Sequence, residues 1–167
     1  VRIFLIGFMG SGKTTVGEML ASRLGLRFVD MDREIERRQG MNINKIFNTR
    51  GEPYFRKLEE ALLKELIDQD NLVVSTGGGV PCYRDNMELI NAHGISIYLE
   101  LTGKELFNRL LNEKAHRPLI KDMDDAALSE FINTRLAERL PFYRQAAIII
   151  DAMNIHPEDL LSRIRLI

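Results

Sequence analysis

Apolar residues along the chain gather in five short runs, separated by stretches in which they recur every three or four positions. The runs are RIFLI (2–6), RFVD (27–30), LVVST (72–76), ISIYLEL (95–101) and AIIID (147–151). All but RFVD are nearly continuous, the pattern of strands covered on both faces. Between them, residues 14–24 place Val16, Leu20 and Leu24 on one helical face. Residues 53–68 open with Pro53 in the first turn and carry Phe55, Leu58, Leu62 and Leu66 as a stripe. Further helical patterns fall at 31–39, 84–92, 103–113, 125–139 and 157–165. Strands alternating with helices predict an α/β fold, a parallel sheet with helices on both faces.

Two segments exceed what this scaffold needs. The span between the second and third strands, with an insertion at about 31–60, is longer than one crossover helix. Residues 112–125, NEKAHRPLIKDMDD, are polar and charged around a central RPL. Insertions on a rigid α/β frame carry binding loops and lids, so the first is read as a substrate-binding insertion and the second as a lid. No repeat or long linker divides the chain, and a single domain is expected.

Composition narrows the function classes. With 167 residues, 45% of them apolar, the chain is long enough for a substantial core. Lys plus Arg number 23 against 24 acidic residues, a net charge of −1 that offers no footprint for nucleic acid or an anionic membrane. A lone cysteine, Cys82, allows no intramolecular disulfide and suits a reducing cytoplasm. No run reaches the length of a transmembrane helix, and the first apolar run is too short for a signal peptide. A cytoplasmic monomer is the default expectation.

The chemistry begins directly after the first strand. IGFMGSGKTT (6–15) fits G-x-x-x-x-G-K-[ST], with Gly7, Gly12, Lys13 and Thr14 at the fixed positions. Such a loop wraps main-chain N–H groups around phosphate oxygens, and the following helix points its positive end at the same anion. Gly10, Ser11, Gly12, Lys13, Thr14 and Thr15 are therefore the candidate residues of a nucleotide-phosphate site. Lys13 reaches the terminal phosphates, and the Thr14 hydroxyl is a ligand for Mg2+.

The second strand runs into Asp30 and Asp32, which alternation along an extended strand would turn the same way, toward the phosphate loop. One carboxylate can order a metal ion and another can hold or deprotonate a hydroxyl; equally, either can cap the helix that follows. Many phosphate-loop proteins take the metal-ordering Asp from the third strand, but LVVST ends in Ser75 and Thr76, which leaves Asp30 the best-placed candidate. Gly77, Gly78 and Gly79 follow at once. Three glycines suit a place where a ligand lies flat on main chain, or an ordinary turn. Arg56, Arg117 and Arg144 are each a solvated residue or part of an anion site. Two converging guanidinium groups bind a carboxylate by paired hydrogen bonds, and a mobile one neutralises a transferring phosphoryl group.

Together, GFMGSGKTT, FVDMDREIE, IFNTRGEPYFRKLEE, STGGGV, RPL and LPFYRQAA resemble the shikimate kinase family over essentially the full chain, in order and spacing. The resemblance implies a three-layer fold of the nucleoside-monophosphate-kinase type, with a five-stranded parallel sheet in the order 2-3-1-4-5. It implies transfer of the ATP γ-phosphoryl group to the 3-hydroxyl of shikimate, a step of aromatic amino acid biosynthesis. By position, Gly10 to Thr15 hold the ATP phosphates, Thr14 ligates Mg2+ with Asp30 supporting through water, Arg117 meets the phosphates from the lid, and Lys13, Asp32 and Arg117 are catalytic. Asp32 grips the shikimate hydroxyls, Arg56 and Arg144 clamp its carboxylate, and Gly77, Gly78 and Gly79 supply main-chain donors. Phe47 and Phe55 wall the pocket, and Glu59 orients Arg56. Arg109 is the nearest candidate for an arginine stacked on adenine, opposite the DAMNIHP loop.

Two other classes compete. Another small kinase, such as a gluconate kinase, also binds a carboxylate and hydroxyls. A GTP-dependent switch needs N-K-x-D and D-x-x-G, but NKIF at 44–47 lacks the Asp and no D-x-x-G occurs.

Overall fold

Five parallel strands form one sheet in the order β2-β3-β1-β4-β5, in a computed structural model describing residues 1–167. The strands are β1 (Arg2–Ile6), β2 (Arg27–Asp30), β3 (Leu72–Ser75), β4 (Ile95–Glu100) and β5 (Ile148–Asp151). Residues Ile3 to Ile6 and Leu72 to Val74 are buried. β2 and β5 are the edges and keep partial exposure; β5 does so although its run is apolar, with Ile149 36% exposed.

Helices α1 (Lys13–Leu24), α2 (Met31–Gln39), α3 (Ile43–Arg50), α4 (Glu52–Ile67), α5 (Asn86–His93), α6 (Gly103–Glu113), α7 (Asp125–Tyr143) and α8 (Pro157–Arg165) connect and cover the strands. The long span after β2 is thus three helices, of which α3 was not expected. Its start is set by Asn42, whose side chain accepts from Lys45 N at 2.9 Å. Met31, Ile46, Phe55 and Leu63 bury this span into the same core as the sheet. α6 opens with a capping box: Thr102 Oγ1 accepts from Glu105 N, and Glu105 Oε1 accepts from Thr102 N.

Two boundaries differ from the pattern in ways that matter for the site. α7 continues past residue 139 and through Pro141 to Tyr143. After the three glycines, Val80–Cys82 form a short 3-10 turn. Asn86 Nδ2, fully buried, donates to Val80 O at 2.9 Å and so ties that turn to α5.

Candidate active site

The strand order reverses around β1, and the crevice beyond the carboxyl ends of β1 and β3 is where an open α/β sheet receives its ligand. β1 delivers the phosphate loop there. Gly10 and Gly12 adopt φ of 79° and 96°, left-handed values that favour glycine, and Gly12 leads directly into α1. Lys13 Nζ donates to Gly7 O at 2.6 Å and to Phe8 O at 3.0 Å. Burial pushes the Lys13 ammonium down to about 8, against the opposing pull of Asp32.

β2 pairs with β3 so that Asp30 stands beside Ser75. Asp30 serves both readings at once. Its Oδ1 accepts from Arg33 N at 3.2 Å and caps α2, while Oδ2 accepts from Thr14 Oγ1 at 3.3 Å. Asp32 lies in the first turn of α2, not on the strand, so helical winding and not strand alternation turns it toward the loop. Burial raises its carboxyl to about 6, opposed by Lys13 and reinforced by Asp30.

Lys13, Thr14, Thr15, Asp30 and Asp32 line a cleft of about 600 Å³ together with Arg109 and Arg117. Arg109 donates to Gly10 O at 3.3 Å and to Ala152 O at 3.2 Å, bridging the phosphate loop to the loop after β5. Arg117 is held by Glu113 one turn earlier, Nη2 to Oε2 at 2.7 Å. Its segment is better anchored than its polar sequence suggests, because Ile120 is fully buried while Leu119 stays 53% exposed.

The three glycines mark the boundary between this cleft and a second one of about 490 Å³ that Arg56 and Arg139 line. None of the three has a left-handed φ. Their value is close approach. A Cβ on Gly77 would stand 2.7 Å from Glu59 Oε2 and 2.9 Å from Asp32 Oδ1. One on Gly78 would stand 2.8 Å from Arg139 Nη1, and one on Gly79 would collide with the Arg56 guanidinium. Charged side chains from α2, α4 and α7 therefore rest directly on bare main chain. Tyr143 OH fixes that main chain by donating to Gly78 O at 2.6 Å.

Arg56 is itself held from one turn away: its Nη1 donates to Glu59 Oε1 at 2.5 Å, and Glu52 approaches from the open side at 3.3 Å. Glu59 is buried, and burial raises its carboxyl to about 7 despite the neighbouring guanidinium. Phe47 and Phe55 pack against each other at a 46° tilt with ring centroids 4.9 Å apart, but neither lines either cleft. Cys82 lines the second cleft, with its thiol pushed up to about 11 by burial.

Arg144 does not join Arg56, contrary to the sequence-based expectation. It is the C-cap of α7; its side chain is 64% exposed and its nearest acid is Glu100 at 3.9 Å, in a different cleft. Arg139 occupies the expected place instead. Five residues apart on a helix are about 140° around its axis, so only one of the two can face the glycines. Arg139 also lies over the Phe8 ring, 5.4 Å from its centroid, which assigns the loop phenylalanine a supporting role that the sequence reading missed. The signal for Arg139 was present in ERLPFYR, but the proline masked the continuing helix.

The arrangement combines a phosphate cradle, a cation aimed at it, a carboxylate beside it and two guanidinium groups across a glycine turn. That set can hold a nucleoside triphosphate and a small hydroxy acid together and transfer a phosphoryl group between them. A family model described as shikimate kinase matches residues 9–166. A shikimate kinase of Azobacteroides pseudotrichonymphae is 44% identical over 164 residues, covering 98% of this chain and 96% of that protein. Among solved structures, a shikimate kinase from Bacteroides thetaiotaomicron is 41% identical with a TM-score of 0.89, covering 99% of this chain and 95% of that one. One from Acinetobacter baumannii, in complex with shikimate, is 37% identical with a TM-score of 0.85, covering 98% and 90%.

Proposed function

The chain belongs to the shikimate kinase family, and from that premise we propose how its residues carry out ATP-dependent phosphoryl transfer to the 3-hydroxyl of shikimate. The observation that carries the reading is the meeting of Arg56, Arg139 and Asp32 on the glycine turn beside the phosphate loop. Arg56 and Arg139 take the shikimate carboxylate with paired, charge-assisted hydrogen bonds. Gly77 to Gly79 offer main-chain N–H groups against which the ring can lie. Asp32 accepts from the hydroxyl that attacks, and its raised affinity for a proton suits it to orient or deprotonate that group.

Lys13 exchanges its hold on the loop carbonyls for the β- and γ-phosphates, where developing negative charge is largest. Arg117 reaches the same oxygens from the 112–125 segment, which serves as a lid and keeps water out of the cleft. Arg109 and the loop after β5 border the base. No group of three or more ligating side chains converges in the protein. That fits an Mg2+ carried on the nucleotide, which retains several waters and needs few protein ligands. Thr14 would hold it directly and Asp30 through water, and the ion would neutralise charge on the phosphates.

The product tests the assignment. After incubation with ATP and shikimate, phosphorus-to-proton coupling in the NMR spectrum of the product should place the phosphate on the 3-oxygen. Phosphate on another hydroxyl would overturn the assignment of acceptor.

A further inference from the structure

β4 and β5 end side by side on two carboxylates. Glu100 and Asp151 are register partners, so both side chains leave the sheet on the same face, where like charges oppose each other. Tyr98, two residues before Glu100, points the same way. All three line a cleft of about 510 Å³ that shares no lining residue with the two clefts of the active site.

Its polar groups are not satisfied internally. Glu105 adds a third carboxylate, and neither it nor Asp151 has an ion-pair partner; each accepts only from a nearby main-chain N–H at 2.9 Å. The single cation in the cleft is Arg144, 3.9 Å from Glu100. Tyr98 is 1% exposed as a residue, and its hydroxyl, which makes no hydrogen bond within the protein, is the part that opens into the cleft. Leu136 and Leu140 of α7 give the cleft an apolar wall.

The geometry points to a binding site for a small organic ammonium ligand with an apolar body. The ammonium sits between Glu100 and Asp151 and donates to the Tyr98 hydroxyl, and the hydrocarbon lies on Leu136 and Leu140. A bare divalent ion suits the cleft poorly, because no cluster of three metal-ligating side chains converges there and four of its ten lining residues are apolar. A free amine and an α-amino acid share this recognition chemistry; the second also offers a carboxylate to Arg144.

The test is a proton–nitrogen NMR titration of the intact protein with isoamylamine, leucine and isoamyl alcohol. The amine should shift the resonances of Tyr98, Glu100 and Asp151, and the uncharged alcohol should not. Glu100→Gln combined with Asp151→Asn preserves shape and should weaken amine binding about tenfold. Tyr98→Phe should weaken it about threefold. Leucine binding tighter than the amine, with the gain lost in Arg144→Ala, identifies an amino acid as the ligand; weaker leucine binding identifies a free amine. Equal binding of amine and alcohol, amine binding that survives the double substitution, or no shift at millimolar amine would overturn the site.

Discussion

Arg56 and Arg139 reach the same stretch of main chain from different helices, Arg56 resting on Gly79 and Arg139 on Gly78. A side chain at Gly79 would displace the Arg56 guanidinium, and one at Gly78 would displace that of Arg139.

That relationship separates two arginines that look alike in sequence. Arg139→Lys keeps the charge and loses the planar fork. It should cost about 1.5–3 kcal/mol, one to two decades in kcat/KM for shikimate, with ATP affinity nearly unchanged. Arg144→Ala should change kcat/KM little. Steady-state kinetics of the two variants with shikimate varied decide between them, and the reverse ranking would restore Arg144 to the clamp.

The glycine turn can be tested on its own. Gly79→Ala should push Arg56 out of place, because the new methyl group collides with its guanidinium. The KM for shikimate should rise about tenfold or more, while ADP binding measured by calorimetry stays the same. Unchanged KM would mean that the turn has no need of bare main chain at that position.

Much of this site was legible in the sequence because its parts are contiguous. IGFMGSGKTT carries strand end, loop and helix start in one stretch, and DMD sets Asp30 at the end of β2 and Asp32 in the first turn of α2. What was not legible depended on the phase of a helix or on burial. Pro141 hid the continuation of α7, and with it the direction of Arg139. The ring of Phe8 gains its meaning only when α7 packs above it. Ile120 sits in a run of charges and yet is fully buried. Glu59 was legible as the residue that orients Arg56, but not its burial between Arg56 and Gly77, which only the fold creates.

That enclosure has a consequence for stability. The Glu59 carboxyl titrates at about 7 in the folded protein against an ordinary 4.5. The native state therefore binds more protons than the unfolded one between these values, and stability falls as pH rises through them. The contribution of Glu59 is fully present below the unfolded pKa and is lost as pH passes about 7. In denaturant unfolding of the ligand-free protein, Glu59→Gln should flatten the decline in stability between these two pKa values. A slope equal to that of the parent protein would show that Glu59 does not carry the shift.

The two aspartates should respond differently to Mg2+. Asp30→Asn keeps an oxygen for the α2 cap but weakens the ordering of water around the ion, so raised Mg2+ should restore much of the lost activity. Asp32→Asn should lower kcat by about 10²-fold or more at every Mg2+ concentration. Initial rates across a Mg2+ series test this, and parallel responses would contradict the assigned roles.

The most direct measurement is the rate of ADP release, followed with shikimate, gluconate and nucleoside monophosphates side by side. The arginine pair and Asp32 predict rapid release with shikimate and only background rates with the others, and loss of the shikimate-dependent rate in Lys13→Ala. Comparable release with gluconate or a nucleoside monophosphate, or a Lys13→Ala variant that turns over normally, would contradict the account.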